Sequence, residues 1–343
     1  MTPYQRVMST ISGAPVDRPP VFAVLGAYGA NLTGCSLRSL YSDAEAYLEA
    51  QRALQQVYGF DLVLAPFDFS AIAEAFGGET AWSEQQPPNV RKHAAASAAR
   101  ALSLPMPDIG KSGRLPLILE ATRRLAGDFK EKIPVIAVLP SPGTMPALLM
   151  GLEQWMETLL FDPQTAQALL ARSGDFLVDY ANALLAAGAD CLVFTEGMAA
   201  AEVAPRGLFA ASILPHLKEI FPRIKGPKVI SSTGGRINQV LDLLHPLNGL
   251  VAVITGSRDD LEESRHLLGP ELTLIGNLDN LAFVSSSAAK IGEMSQACLA
   301  CASPGGRFIL ANAGGDIPLA TPAGNLMAMR ASVESCRVAG SGR

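Results

Sequence analysis

The stretch Arg307-Phe-Ile-Leu-Ala-Asn-Ala-Gly-Gly-Asp-Ile-Pro-Leu-Ala-Thr-Pro-Ala-Gly-Asn325 decides the fold prediction. Its apolar run, Phe308–Asn312, predicts a buried strand, and a Gly-rich turn follows directly. The pair Thr321-Pro322 then favours the start of a helix, because proline is well tolerated in a first helical turn. Strand, Gly-rich turn and helix in this order are typical of a parallel α/β barrel. Such a barrel exposes backbone N–H groups and strand-end side chains to a ligand at that edge.

Seven further apolar runs precede this one, each short and rich in Val, Ile, Leu or Phe, as expected of parallel strands buried on both faces. They are Val21–Leu25, Asp61–Ala65, Pro134–Leu139, Cys191–Thr195, Lys228–Ser231, Leu250–Ile254 and Leu272–Gly276. Helical patterns separate them, and eight such strands favour a (β/α)8 barrel over an open sheet. The predicted helices are Ala44–Tyr58, Arg114–Leu125, Gln154–Leu160, Pro163–Ala187, Arg206–Ile220, Arg236–Leu243, Asp259–Leu268 and Ala288–Ala302. We therefore predict one barrel domain over residues 1–343, with a long excursion between strands 2 and 3 (residues 66–133).

The composition excludes several classes of function. The chain has 343 residues, a net charge of -5 and no Lys/Arg stripe, so nucleic acid is not an expected partner. No uncharged apolar stretch is long enough for a membrane span and no signal peptide is visible, which predicts a cytoplasmic protein without a membrane partner. Cys298 and Cys301 form a C-x-x-C within a helical pattern, and we interpret them as packing residues.

Catalytic side chains in such barrels come from the C-terminal ends of strands. Three carboxylates occupy these positions, Asp68, Glu196 and Asp316, and they suit proton transfer or hydrogen bonding to a polar ligand. Two of them have a specific structural alternative. Asp68 would also cap the helix that follows it, and Asp316 would also bind turn N–H groups. The predicted substrate contacts near the same strand ends are Tyr28, Ser231, Thr233, Asn277, Asn312 and Gly315.

Several segments, in order along the whole chain, resemble the uroporphyrinogen decarboxylase superfamily. They are Gly13-Ala-Pro-Val-Asp-Arg-Pro-Pro-Val21, Pro66-Phe-Asp-Phe-Ser-Ala-Ile-Ala-Glu-Ala-Phe-Gly77, Ala187-Gly-Ala-Asp190, Gly276-Asn277 and Thr321-Pro-Ala-Gly-Asn325. The resemblance is greatest to the methylcobamide:coenzyme M methyltransferase branch. It implies a barrel enzyme acting on a small-molecule substrate.

The resemblance implies two competing chemistries. Decarboxylases of this superfamily hold a porphyrinogen with an aspartate after the second strand, paired arginines after the first and a tyrosine after the third. Asp68 matches the aspartate, but Leu25–Ala30 contains no arginine and the tyrosine position falls near Leu148. Arginine forks would bind the acetate carboxylates of a porphyrinogen. Since they are missing at this position, a tetrapyrrole lyase is the second interpretation and not the first.

The methyltransferase branch holds zinc with a His-x-Cys after the fifth strand and a Cys after the eighth. The matching positions are Ser231-Ser-Thr233 and Gly315, so we predict no zinc and expect Ser231, Thr233 and Asp316 to surround the vacated position. The resemblance implies a methylcorrinoid (cobalamin) on a separate corrinoid protein. The methyl group would pass to or from a tetrahydrofolate, a methylated amine or an ether. Asp68 and Glu196 would then bind the substrate or move a proton, and Asn277 would orient it. A non-catalytic, ligand-binding barrel is the third interpretation.

Overall fold

Eight parallel strands form the (β/α)8 barrel that the sequence predicts, in a computed structural model that describes residues 1–303 and 306–336. The last residues of the predicted domain, 337–343, lie outside the described ranges. The sheet has the order β1-β10-β9-β8-β7-β6-β5-β2, and β3 and β4 form a separate antiparallel pair. The strands are β1 Val21–Phe22, β2 Val63–Leu64, β3 Glu79–Ala81, β4 Asn89–Lys92, β5 Val135–Pro140, β6 Cys191–Thr195, β7 Lys228–Ser231, β8 Leu250–Ile254, β9 Thr273–Asp279 and β10 Phe308–Ala313.

The two end strands of the sheet, β1 and β2, meet through Asp61. Its backbone N–H donates to the Val21 carbonyl at 2.9 Å, and its carboxylate accepts the Val21 N–H at 2.8 Å. This carboxylate is fully buried and also pairs with Arg6 and Arg18. β1 and β2 are shorter than the predicted runs Val21–Leu25 and Asp61–Ala65.

The helices cover the outside of the barrel, and most begin and end close to their predicted positions. One predicted helix, Arg206–Ile220, is interrupted by a π-helical turn at Phe209–Ile213. Short 3₁₀ turns occur at Gly197–Ala199, Phe221–Arg223 and Asn238–Val240. The α-helices are α1 Pro3–Ser12, α2 Ala30–Thr33, α3 Leu37–Leu40, α4 Ala44–Tyr58, α5 Phe69–Ala75, α6 Ala98–Ser103, α7 Leu115–Phe129, α8 Met145–Met150, α9 Leu152–Phe161, α10 Pro163–Ala186, α11 Arg206–Leu208, α12 Leu214–Ile220, α13 Leu241–Leu244, α14 Leu261–Leu268, α15 Ala282–Ser285, α16 Ala288–Ala302 and α17 Ala323–Ser332.

Two apolar layers stabilise the barrel. The inner layer fills the barrel with alternate strand residues, including Phe22, Ile136, Val193 and Ile309, and α1 packs against it through Val7. The outer, larger layer lies between the strands and the helices. Burial on both faces explains why the strands read as continuous apolar runs rather than alternating ones. Within the described residues, no helix is long and apolar enough to cross a membrane.

The predicted excursion contains α5, the β3–β4 hairpin, α6 and α7. The turn of the hairpin, residues 83–88, reaches the mouth of the barrel at the C-terminal ends of the strands, where it lines a cavity. The excursion is therefore part of the surface on which a barrel of this kind binds ligands.

Candidate functional site

The mouth of the barrel contains a cavity of about 940 Å³, between the loops after β1, β2, β9 and β10 and the hairpin turn. We call it the mouth cavity. Its volume is that of a site for a small molecule. The residues that line it are Ala27, Asn31, Phe67, Phe69, Ser70, Glu84, Gln85, Gln86, Pro87, Pro88, Asn89, Asn280, Leu281, Asp316, Ile317, Pro318, Leu319 and Ala320.

Asp316 is the only one of the three predicted carboxylates that lines the mouth cavity. Its Oδ1 accepts the N–H groups of Gly26 at 2.5 Å and Ala27 at 3.3 Å. The residue as a whole is half-buried, yet its carboxyl group is closely surrounded by protein. Desolvation therefore raises its pKa to about 7, although the two N–H bonds oppose this. A carboxyl group with this pKa is present in both protonation states near neutral pH.

Gly26 lets Asp316 approach the chain after β1 so closely. A Cβ at Gly26 would lie 2.9 Å from the Asp316 Oδ1 and 3.3 Å from the Tyr41 hydroxyl. That hydroxyl is buried and has no hydrogen-bond partner within the described residues. A buried hydroxyl without a partner is costly, and this one lies beside Gly26, as the Asp316 carboxylate does.

Asp68 is buried at the start of α5, outside the lining of the mouth cavity. It caps that helix by accepting the N–H of Ser70 at 2.9 Å, and it forms an ion pair with Arg114 at the start of α7. Desolvation raises its pKa, whereas Arg114 and Ser70 lower it. The structure thus shows the helix-capping role that the sequence left open. The expected convergence of Asp68 with Asp316 on one cavity is not found.

Glu196 is fully buried after β6 and also lies outside the lining of the mouth cavity. It accepts the Ser141 hydroxyl, the Gly143 N–H at 3.1 Å and the Met198 N–H at 2.9 Å. Desolvation raises its pKa to about 7 against these three bonds. Its contacts join the loops after β5 and β6, so any role in proton transfer would act through Ser141 or a change in this packing.

Three predicted substrate contacts are instead occupied by protein. The Tyr28 hydroxyl is buried and donates to the Thr321 carbonyl at 2.7 Å. The Asn277 amide donates to the carbonyls of Gly256 and Asp259, each at 2.9 Å. Each of these side chains therefore binds a neighbouring loop, which a sequence cannot show, and its contact with a ligand stays a prediction.

Asn312 likewise binds protein groups, and its contact with a ligand also stays a prediction. Its Oδ1 accepts the Val24 N–H at 2.8 Å, and its Nδ2 donates to the Gly315 carbonyl at 3.1 Å. The residue is 2% exposed. Asn312 therefore ties the chain after β1 to the Gly-rich turn after β10, and so holds Asp316 indirectly in place.

Ser231, Thr233 and Gly315 lie on two loops that touch. A Cβ on Gly234 would come within 2.9 Å of the Gly314 Cα, so the loops after β7 and β10 meet backbone to backbone across the mouth. None of the three lines the mouth cavity. The Ser231 hydroxyl accepts the Thr233 N–H at 3.2 Å.

These donors do not suit Zn²⁺, which prefers thiolate and imidazole ligands. Within residues 1–303 and 306–336, no cluster of three or more His, Cys, Asp or Glu side chains is arranged to hold a metal ion. The Cys298 thiol, a soft ligand atom on the outer side of β9, lies 3.6 Å from the Asn277 Oδ1.

The sequence did not indicate two parts of the site. Phe67 and Phe69 flank Asp68 and pack edge to face, with ring centroids 5.0 Å apart, at the wall of the mouth cavity. Arg114 partners Asp68 from a distant part of the excursion. The alternation Phe-Asp-Phe is a usable signal, because alternate side chains of an extended segment point to opposite sides.

A family model described as Uroporphyrinogen decarboxylase (URO-D) matches residues 2–336. The chain belongs to the uroporphyrinogen decarboxylase family. The resemblance seen in the sequence motifs is thereby confirmed. Members of this family that are similar to the chain include both methyltransferases and decarboxylases.

One similar family member is the methylcobamide:CoM methyltransferase MtbA of Methanosarcina mazei, 26% identical over 342 residues and covering 96% of each chain. Another is the uroporphyrinogen decarboxylase of Chromohalobacter salexigens, 24% identical over 306 residues, which covers 83% of this chain and 84% of that protein. Among solved structures, a methyltransferase from Methanosarcina mazei superposes with a TM-score of 0.86 at 20% identity, over 98% of this chain and 99% of that one. This last likeness shows the shared barrel fold.

Proposed function

We propose that this protein is a methyltransferase that moves a methyl group between a corrinoid and a small molecule bound in the mouth cavity. The corrinoid is a substrate presented by a separate protein. The similarity to methylcobamide:CoM methyltransferases over nearly the whole chain supports the reaction class. The cavity supports a small molecule as the second substrate, since its volume of about 940 Å³ is of the size such ligands require.

The observation that carries the proposal is the position of Asp316. Its carboxyl group lines the cavity, is fixed by two backbone N–H groups, and has a pKa of about 7. As a carboxylate it binds a positive charge on the substrate. As a carboxylic acid it donates a proton to an alkoxide that leaves from a methyl ether. We assign Asp316 the contact with the substrate, and Asp68 and Glu196 the positioning of the loops around it.

We propose further that the transfer needs no zinc-activated thiolate. The support for this is the chemistry of Ser231, Thr233 and Gly315, whose hydroxyls and backbone are poor ligands for zinc. Tetrapyrrole decarboxylation has less support, because the described lining of the cavity contains no Lys, Arg or His to bind acetate groups. A barrel that only binds its ligand is the remaining alternative.

An anaerobic spectroscopic assay tests this proposal. Purified protein is mixed with methylcobalamin and a panel of amines, alcohols and thiols, or with cob(I)alamin and the corresponding methylated compounds. The expected result is loss or gain of the cobalt–methyl absorbance with at least one compound. Asp316→Asn should slow it, whereas Glu49→Gln, on the exposed face of α4, should not. If no compound in either direction changes the absorbance, the proposal is wrong and a binding function is favoured.

A further inference from the structure

We infer that the small molecule held in the mouth cavity is a methylated organic cation of the quaternary or tertiary ammonium class. This inference rests on the proposed function for its reaction, but its evidence is the charge and the aromatic surface of the cavity itself. It selects one class among the amines, ethers and pterins that a methyltransferase of this family would accept.

The charge of the cavity lining favours a cation. The lining contains the carboxylates Asp316 and Glu84 and, within the described residues, no Lys, Arg or His. A sulfonate, or the glutamate carboxylates of a folate, would therefore enter without an ionic partner and beside a desolvated acid, which is unfavourable. Two guanidinium groups lie near the hairpin, but both belong to other contacts. Arg38 and Arg114 stack on the Trp82 ring, at 4.9 Å and 4.7 Å from its centroid.

The aromatic surface favours an alkylated cation over a hydrated metal ion. Phe67 and Phe69 are half-buried and line the cavity, with their rings 5.0 Å apart at an angle of 74°. Ring faces attract ammonium groups within about 6 Å, and methylated ammonium groups lose little hydration there. A hydrated Na⁺ or Mg²⁺ would gain little from the same surface. The cavity thus joins a fixed carboxyl group to an apolar, aromatic wall, which is the combination that recognises a methylated ammonium group.

This substrate class gives a balanced reaction. In the demethylating direction, the electron pair of cobalt(I) forms the new cobalt–carbon bond, and the carbon–nitrogen bond breaks. Its electron pair remains on nitrogen, which leaves as a neutral amine, while cobalt becomes formally cobalt(III). No proton is required in this step, so Asp316 can remain a carboxylate throughout. Its role is then to bind and orient the ammonium group.

A binding experiment without corrinoid tests the inference. Isothermal titration calorimetry compares choline with dimethylbutanol, in which carbon replaces the charged nitrogen, and with the anion mercaptoethanesulfonate. Choline is expected to bind at least about tenfold more tightly than either compound, which corresponds to about 1.4 kcal/mol. Asp316→Asn should weaken choline by about tenfold and leave dimethylbutanol unchanged. Phe67→Leu should weaken choline severalfold, since it removes the ring but keeps an apolar side chain.

Glu202→Gln is the matched control, because Glu202 is an acid after β6 that pairs with Arg236 and does not line the cavity. It should bind choline like the unchanged protein. If the sulfonate or the neutral alcohol binds as tightly as choline, or if Glu202→Gln and Asp316→Asn weaken choline equally, the inference is wrong. If choline does not bind selectively but the protein transfers methyl groups to or from other compounds, the proposed function stands and only this inference is wrong. Selective choline binding without any change in cobalt–methyl absorbance would instead remove the methyltransferase proposal and keep the cation site.

Discussion

Replacing Asp316 with asparagine should increase the stability of the protein, relative to the unchanged protein, more at high pH than at low pH. Desolvation raises the pKa of this carboxyl from its ordinary 3.8 to about 7 in the folded chain. A folded-state pKa above the unfolded one means that the stabilising contribution of the proton is complete below about pH 4. That contribution is lost as the pH rises through about 7. The asparagine side chain keeps an oxygen for the Gly26 N–H but never becomes charged.

The size of the effect follows from the same values. A difference of about three pKa units at about 1.4 kcal/mol each sets an upper limit on the order of 4 kcal/mol. Only about two of these units lie above pH 5, where the measurement begins, and water in the cavity screens the charge, so we expect an increase of about 1–2 kcal/mol between pH 5 and pH 8.5. The nearby groups Tyr41 and Tyr47 stay neutral in this range, because burial raises the pKa of both phenols.

Urea unfolding at about pH 5 and about pH 8.5 measures this change. The free energy of unfolding of Asp316→Asn, minus that of the unchanged protein, should increase between the two pH values. Glu196 titrates in both proteins and therefore cancels in the difference. Glu49→Gln, an exposed control, should show no such increase. A difference that is equal at both pH values would refute the burial of an ionisable carboxyl at the cavity wall.

Three further variants test the packing around the site. Arg114→Ala leaves the buried Asp68 carboxylate without its ionic partner, and urea unfolding should show a loss of about 3–5 kcal/mol; an effect below about 1 kcal/mol would mean that the pair is solvated. Asn277→Ala removes two bonds to loop carbonyls, and a loss of roughly 1–3 kcal/mol is expected in the same assay, whereas no loss would contradict the assigned contacts. Gly234→Ala should lower the melting temperature, because Gly234 has a φ of +95° and its Cβ would press on Gly314; unchanged melting would show that the two mouth loops do not touch.

The sequence predicted the barrel and several helices closely, because local signals mark their ends. The helix Ala44–Tyr58 has the predicted bounds, since Asp43 caps its start and Gly59 ends it in a left-handed conformation. The strands were found from their apolar runs. The sequence did not predict how β1 and β2 pair at the closure of the barrel, because only the tertiary fold brings Asp61 to Val21.

The candidate site was less predictable from the sequence. Strand-end positions identified polar residues near the mouth, but they do not show which side chains are taken up by neighbouring loops. Asn277 and Asn312 bind backbone groups that are brought to them from other strands. The hairpin turn that supplies Glu84 belongs to an excursion whose position depends on long-range packing. Asp316 was the exception, because a Gly-rich turn directly after a strand places its acid at the mouth in any parallel barrel.

Zinc removal tests the central claim of methyl transfer without a metal-bound thiolate most directly. The protein is dialysed against a strong chelator, its zinc content is measured, and the rate of cobalt–methyl formation from cob(I)alamin and a methylated ammonium donor is compared before and after. We predict well below one zinc per chain at the start and an unchanged rate after dialysis. A rate that falls with the zinc content and returns when zinc is added back would contradict this account.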